Sequence, residues 1–112
     1  IVTPCYEGVA KTHCDILDVT SHSSEHIRNM VSAGQLHDEV AAALAIAWAQ
    51  VKERETVFIV SDGICAEEAT KLGFRHFASA QAAMDAAIAE TGPAARITVL
   101  THAPDMVPVI RK

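Results

Sequence analysis

The chain has 112 residues, of which 50% are hydrophobic and 21% charged, the composition of one globular domain and not of a disordered segment. Nine basic against fourteen acidic residues leave a net charge of −5. With no Lys/Arg run to form a basic face, this argues against a general nucleic-acid binder. No apolar stretch approaches the roughly 20 residues of a membrane-spanning helix, and the start Ile1-Val2-Thr3-Pro4 gives no expectation of a secretory leader.

In chain order, Ile1-Val2-Thr3 reads as the tail of a strand ended by Pro4. Because the first residue is Ile and not Met, the domain is expected to be cut from a longer protein. A loop through Cys5-Tyr6-Glu7-Gly8 follows. Ser23 or Ser24 to Ala33 predicts a helix with Ile27, Met30 and Val31 inward and Gly34 as its stop. His37 to Glu53 predicts a long helix whose Val40, Leu44, Trp48 and Val51 share one face. Asp38 and Glu39 near its start, and Lys52 and Arg54 near its end, suit the helix dipole.

The next segment, Thr56 to Val60, is a continuous β-branched apolar run, as expected of a strand covered on both faces. It stops at the turn signal Ser61-Asp62-Gly63. Ala66 to Leu72 predicts a short helix ended by Gly73, and Arg75-His76-Phe77 a short strand. Ser79 to Glu90 predicts a helix with a serine N-cap, and Arg96 to Leu100 a last strand. The tail from Pro104 to Lys112 carries Met106, Val107, Val109 and Ile110. It reads either as a docking segment or as an extended tail or edge strand.

Strands alternating with helices imply parallel pairing, because each crossover needs a dozen or more residues. Right-handed crossovers then predict a three-layer α/β sandwich over residues 1–112, with a mostly parallel, Rossmann-like sheet of about four strands.

In open α/β sheets, ligands bind outside the carboxyl ends of the strands. The loop after Thr3 lies there: Gly8 lets backbone approach a ligand, and Glu7 can accept a hydrogen bond or a proton. A simple turn with a solvated Glu is the competing reading. Ser61-Asp62-Gly63 lies at the same kind of edge, before a helix start that suits an anion. Neither G-x-G-x-x-G nor G-x-x-x-x-G-K-[ST] occurs, so an Asp-Gly turn is the plainer reading. His37, at the start of the long helix, can face a ligand or stand exposed. His22 and His26 are four apart, but no third ligand is near, so they read as surface residues and not as a metal pair. His13 and Cys14 are adjacent, and nothing specifies the positioned pair and oxyanion hole that nucleophilic chemistry needs. Trp48 reads as core. Three cysteines, Cys5, Cys14 and Cys65, without C-x-x-C spacing predict neither a disulfide framework nor a cysteine zinc site, and fit a reducing cytoplasm.

The run Ile1-Val2-Thr3-Pro4-Cys5-Tyr6-Glu7-Gly8 resembles the strand and Glu-Gly loop in the C-terminal lobe of the nickel-dependent lactate racemase (LarA) family. The resemblance continues in the same order over nearly the whole chain. It runs through the Ala-rich helix into Glu55 to Asp62, then Ala66-Glu67-Glu68-Ala69 to Phe74, Ser79 to Ala87, and Ala95 to Leu100. It implies a part in interconverting the stereoisomers of 2-hydroxy acids. In that family a nickel-pincer nucleotide takes hydride from the substrate's C2 and returns it, while paired histidines move the proton.

By the same resemblance, the nickel-pincer nucleotide and the catalytic histidines belong to the N-terminal lobe of the parent, the expected partner of this chain. The fragment alone is expected to be inactive. The family's substrate-facing Gln and Lys match no residue here. Glu7, Gly8 and His37 remain as candidate substrate-binding residues, with no catalytic or metal-binding residue assigned. Leu36-His37-Asp38 stands where family members often carry an aromatic, which weighs against lactate itself as the substrate. The alternatives are a non-catalytic small-ligand-binding or regulatory α/β domain, and a docking lobe that uses the apolar tail.

Overall fold

The structure is a computed structural model, and it describes residues 1–9, 12–13, 15–105 and 109. Its helices are α1 (Ile16–Val19), α2 (Ser24–Ser32), α3 (Glu39–Lys52), α4 (Ala66–Lys71) and α5 (Ala80–Thr91). The strands are β1 (Phe58–Ile59) and β2 (Arg75–His76), and a 3-10 turn covers Ala103–Asp105.

Local chemistry explains where the longer helices start. Ser23, Asp38 and Ser79 all have extended backbone, and their side-chain oxygens accept from the amides of His26, Ala41 and Ala82. Each satisfies one of the amides that the first helical turn leaves unpaired. At α4, Glu68 reaches back and accepts from the Cys65 amide at 2.9 Å. The short α1 was not anticipated from sequence. It is anchored at its end by Thr20, which is buried and donates its hydroxyl to the Lys71 carbonyl at 2.8 Å.

The expected long helix forms, but its buried face is rotated by about one residue, roughly 100°, from the one expected. The face that α3 buries is Ala41, Ala42, Ala45 and Ala49, whereas Val40, Leu44 and Val51 stand 51%, 39% and 43% exposed. Both sets have helical spacing. The alanine face wins because α1 and α2 pack against α3 there, and small side chains let the helices come close. Trp48 is half-buried, with its ring 5.7 Å from that of Phe74.

The sheet corrects the sequence expectation. β1 pairs in parallel with β2, Phe58 opposite Arg75 and Ile59 opposite His76, and among the described residues these two strands are the whole sheet. On the other side of β1 the amino-terminal segment adds one isolated parallel bridge, Val2 to Val60. It is held by Thr3 N–H to Val60 O at 3.0 Å and Val60 N–H to Ile1 O at 2.9 Å. The three-layer sandwich around a four-stranded Rossmann-like sheet is therefore not the fold of the described residues.

Two physical reasons account for this. Arg96–Leu100 has strand-forming residues but no strand partner among the described residues, and leaves Ile97 and Val99 54% and 73% exposed. Strand preference describes how well a side chain fits a sheet that already exists. The second reason is a loosely packed layer beyond Phe58. α5 half-buries Ala83, Met84, Ala86, Ala87 and Ile88 but fully buries none of its residues, and an open cavity of about 480 Å³ lined by Arg54, Phe58, Ala87 and Glu90 lies between it and the strand. The Phe58 face is instead covered by the Phe77 ring at 4.8 Å and the Arg75 guanidinium at 4.5 Å.

The core has two adjoining parts. Ile16, Val19, Ile27, Ala41, Ala45 and Ala49 form the helical part, and Ile59, Ile64 and Ala69 the part under the sheet. Val9 packs against both. The apolar tail expected to dock lies, apart from Val109, outside the described residues after Asp105.

Candidate functional site

The carboxyl ends of the amino-terminal segment and β1 carry two loops, and these are fastened to each other. In the first, Gly8 N–H donates to Cys5 O at 2.8 Å, closing a turn over Tyr6 and Glu7. Cys5 sits at φ 45° and Gly8 at φ 74°. The left-handed backbone costs Gly8 nothing, but it is sparsely populated for a residue with a side chain such as Cys5.

The second loop, Ser61 to Gly63, grips the first. Gly63 N–H donates to Pro4 O at 2.9 Å, and the Ser61 hydroxyl donates to the same oxygen at 3.3 Å. A Cβ on Gly63 would lie 1.8 Å from the Cys5 oxygen, so only glycine allows this approach. The His76 ring Nε2 lies 3.4 Å from Ser61 O, which brings the end of β2 to the same edge. An open cavity of about 360 Å³ lies here, lined by Val2, Thr3, Pro4, Tyr6, Val60, Ser61 and Asp62.

Of the three candidate substrate-binding residues, Glu7 and Gly8 lie together in this edge. Glu7 is exposed and makes no hydrogen bond or ion pair with a described residue. His37 is exposed in the connection before α3, and no hydrogen bond or ion pair joins it to Glu7 or Gly8. The end of α3 lies beside Gly73, just before β2, where a Cβ would meet the Lys52 side chain at 2.7 Å, and fourteen helical residues place the start of α3 about 21 Å from that end.

A feature that sequence reasoning missed sits at that start. His13 Nδ1 lies 2.7 Å from Asp38 Oδ2, while Asp38 Oδ1 accepts from Ala41 N–H at 2.9 Å. The Ala41 amide first, and His13 second, hold the Asp38 carboxyl below its ordinary range. Asp38 was legible as a helix-start acid, but nothing marked its partner 25 positions away.

The other candidates separate. His22 and His26 are exposed with ring centroids 4.4 Å apart, and among the described residues no group of three or more His, Cys, Asp or Glu could hold a metal ion. Cys14 lies outside the described residues. Cys65 is exposed at the start of α4. No helix among the described residues is long and apolar enough to cross a membrane. No family model matches the chain, and neither a curated protein nor a solved structure matches it.

Proposed function

We propose that this chain is the C-terminal lobe of a 2-hydroxy-acid racemase or epimerase of the lactate racemase type, inactive alone and completed by an N-terminal lobe of the same parent. The observation that carries the reading is the clamped carboxyl edge. The segment resembling the family's strand and Glu-Gly loop, and the one resembling its later strand, run in parallel and hold their two loops together backbone to backbone. Such an edge is where parallel α/β proteins bind ligands.

The described side chains offer no donor set for nickel, so they do not fit the metal of a nickel-pincer nucleotide. That group, when bound by the other lobe, would supply the hydride acceptor. The part assigned to this chain is confined to the substrate. Gly8, with no side chain, lets backbone approach it. Glu7 accepts a hydrogen bond from a hydroxyl, and His37 is the third candidate contact. A cytoplasmic location belongs to the same proposal, supported by the cysteine pattern.

The test is bound nickel in the parent, purified from cells that make the pincer cofactor, followed by polarimetry on a panel of 2-hydroxy acids. About one nickel per chain with loss of optical rotation is the expected result. A folded, cofactor-exposed parent without nickel overturns it. The open cavity beside Tyr6 and Asp62 favours, as a second reading, a simple small-ligand domain. That reading expects the isolated chain's melting temperature to rise with a small anion, because a ligand that binds only the folded state stabilises it.

A further inference from the structure

α3 packs its alanine face against α1 and α2, and a hole is left on the side toward the strands. It is a cavity of about 280 Å³, bounded by Ile1, Thr3, Cys5 and Ile59 on the strand side and by Leu44 and Trp48 of α3. Side chains alternate along an extended segment, so Val2, Pro4 and Tyr6 line the cavity at the clamped edge instead. On the strand side Thr3 and Cys5 are small and Gly8 has no side chain, which leaves the space unfilled. On the helix side Leu44 is 39% exposed and reaches only the rim. Ile16, Ile64 and Leu72 are buried in the lining, whereas Ile1 is 66% exposed, so the mouth opens between Ile1 and Leu44.

Protein interiors hold few voids larger than a water molecule, and an apolar cavity of about 150 Å³ stays dry and takes up benzene. This one is larger. None of the described residues that line it is charged. Trp48 and Phe74, whose rings stand 5.7 Å apart, share the lining with the Cys5 thiol, and aromatic rings and sulfur both favour a flat ring as their neighbour. Cys5 holds its place there at φ 45°, a strained backbone of the kind that gathers at ligand sites.

We infer that the cavity between the strands and α3 is a binding site for a small, uncharged, apolar molecule built on an aromatic ring, which enters between Ile1 and Leu44. It is a different site from the clamped edge: among the described residues, Thr3 alone lines both. It also stands apart from the racemase reading, because a 2-hydroxy acid brings a carboxylate that this lining could not pair.

The experiment is methyl NMR of the 112-residue chain, with toluene as probe and benzylammonium as the control that carries the same ring and a charge. Toluene is expected to shift the methyls of Ile16, Ile59, Ile64 and Leu72, saturating at one equivalent, and to leave Ile27, which is buried outside the lining. It should also change the fluorescence of Trp48, the only tryptophan of the chain. Benzylammonium should do neither, since a buried charge without a partner is costly. Leu44→Phe fills the cavity from the helix and Thr3→Leu from the strands, so that one variant serves if the other fails to fold. Each should weaken toluene binding about tenfold or more, the scale of a small steric change in an apolar pocket. The inference is overturned if toluene shifts none of these methyls, if benzylammonium acts as toluene does, or if the folded variants bind toluene as well as the unaltered chain. It is also overturned if the parent takes up no toluene where the 112-residue chain does, since a segment of the parent then fills the cavity. Nickel binding and polarimetry in the parent decide the racemase reading separately, since a nickel-free parent leaves these results standing.

Discussion

Gly63 and Cys5 are in backbone contact close enough that no other residue type fits at position 63, since a Cβ there would lie 1.8 Å from the Cys5 oxygen and 2.4 Å from its carbonyl carbon. Neither partner is the far end of a flexible side chain, so the clash cannot be relieved by a rotamer change. The contact ties a loop from the start of the chain to one from its middle, and joins the two into one rim at the carboxyl edge.

Gly63→Ala is therefore expected to cost about 2–4 kcal/mol, the range of severe steric substitutions, and to release the 4–8 loop. Gly34→Ala is the control. Its Cβ meets nothing within 4 Å, but its φ is 69°, so it should cost only about 1–2 kcal/mol of backbone strain. Chemical denaturation of the two variants checks the difference.

The orientation of α3 gives a second pair of outcomes. Ala45 is fully buried and Leu44 is 39% exposed. Ala45→Leu should overpack the helical core and destabilise by about 1–3 kcal/mol. Leu44→Ser should change stability by less than about 1 kcal/mol. Urea midpoints in the reverse order would restore the apolar face expected from sequence.

Acid should weaken the fold through three carboxylates. Glu53 accepts from the Ser24 amide at 2.7 Å and from its hydroxyl at 3.1 Å, and the amide is the larger cause of its lowered pKa. Asp38 and Glu68 are lowered chiefly by the amides of Ala41 and Cys65. A carboxyl whose folded pKa lies below its unfolded one binds fewer protons folded than unfolded in the interval between them. Its stabilisation is complete above the unfolded value and is lost as pH falls through the folded value. Melting temperature should decline through and below the ordinary carboxylate range, and Glu53→Gln should make that decline shallower.

Lys52 gives the last prediction. Burial lowers its pKa, and its ammonium donates to the carbonyl of Thr20, which ends α1. Lys52→Met keeps most of the aliphatic stem over Gly73 but removes that donor from a buried residue. A loss of about 1–3 kcal/mol is expected, with Lys52→Arg losing less. Thermal melts compare the two.

Much of the helical framework could be read in advance because its signals are local. Ser23, Asp38 and Ser79 sit within a few positions of the amides they cap, so a short window of sequence contains both partners. The sheet was over-read for the opposite reason. Arg96–Leu100 has the residues of a strand, but pairing depends on an edge supplied from elsewhere in the chain. In the site, the shared edge of the Glu7-Gly8 and Asp62-Gly63 loops was legible from strand ends and turn residues. The touch between Gly63 and Cys5, and the bond between His13 and Asp38, join residues 58 and 25 positions apart. Neither leaves a pattern in either partner's own neighbourhood.

The bridge between Val2 and Val60 also sets an order of assembly. The amino-terminal segment leaves the ribosome before β1, yet its amide and carbonyl partners belong to residues 58 and 60. At roughly 5–20 residues per second, that segment waits several seconds unpaired while α2 and α3, whose bonds are local, can already close. The rim that carries the candidate site is thus completed late, on a helical base that precedes it.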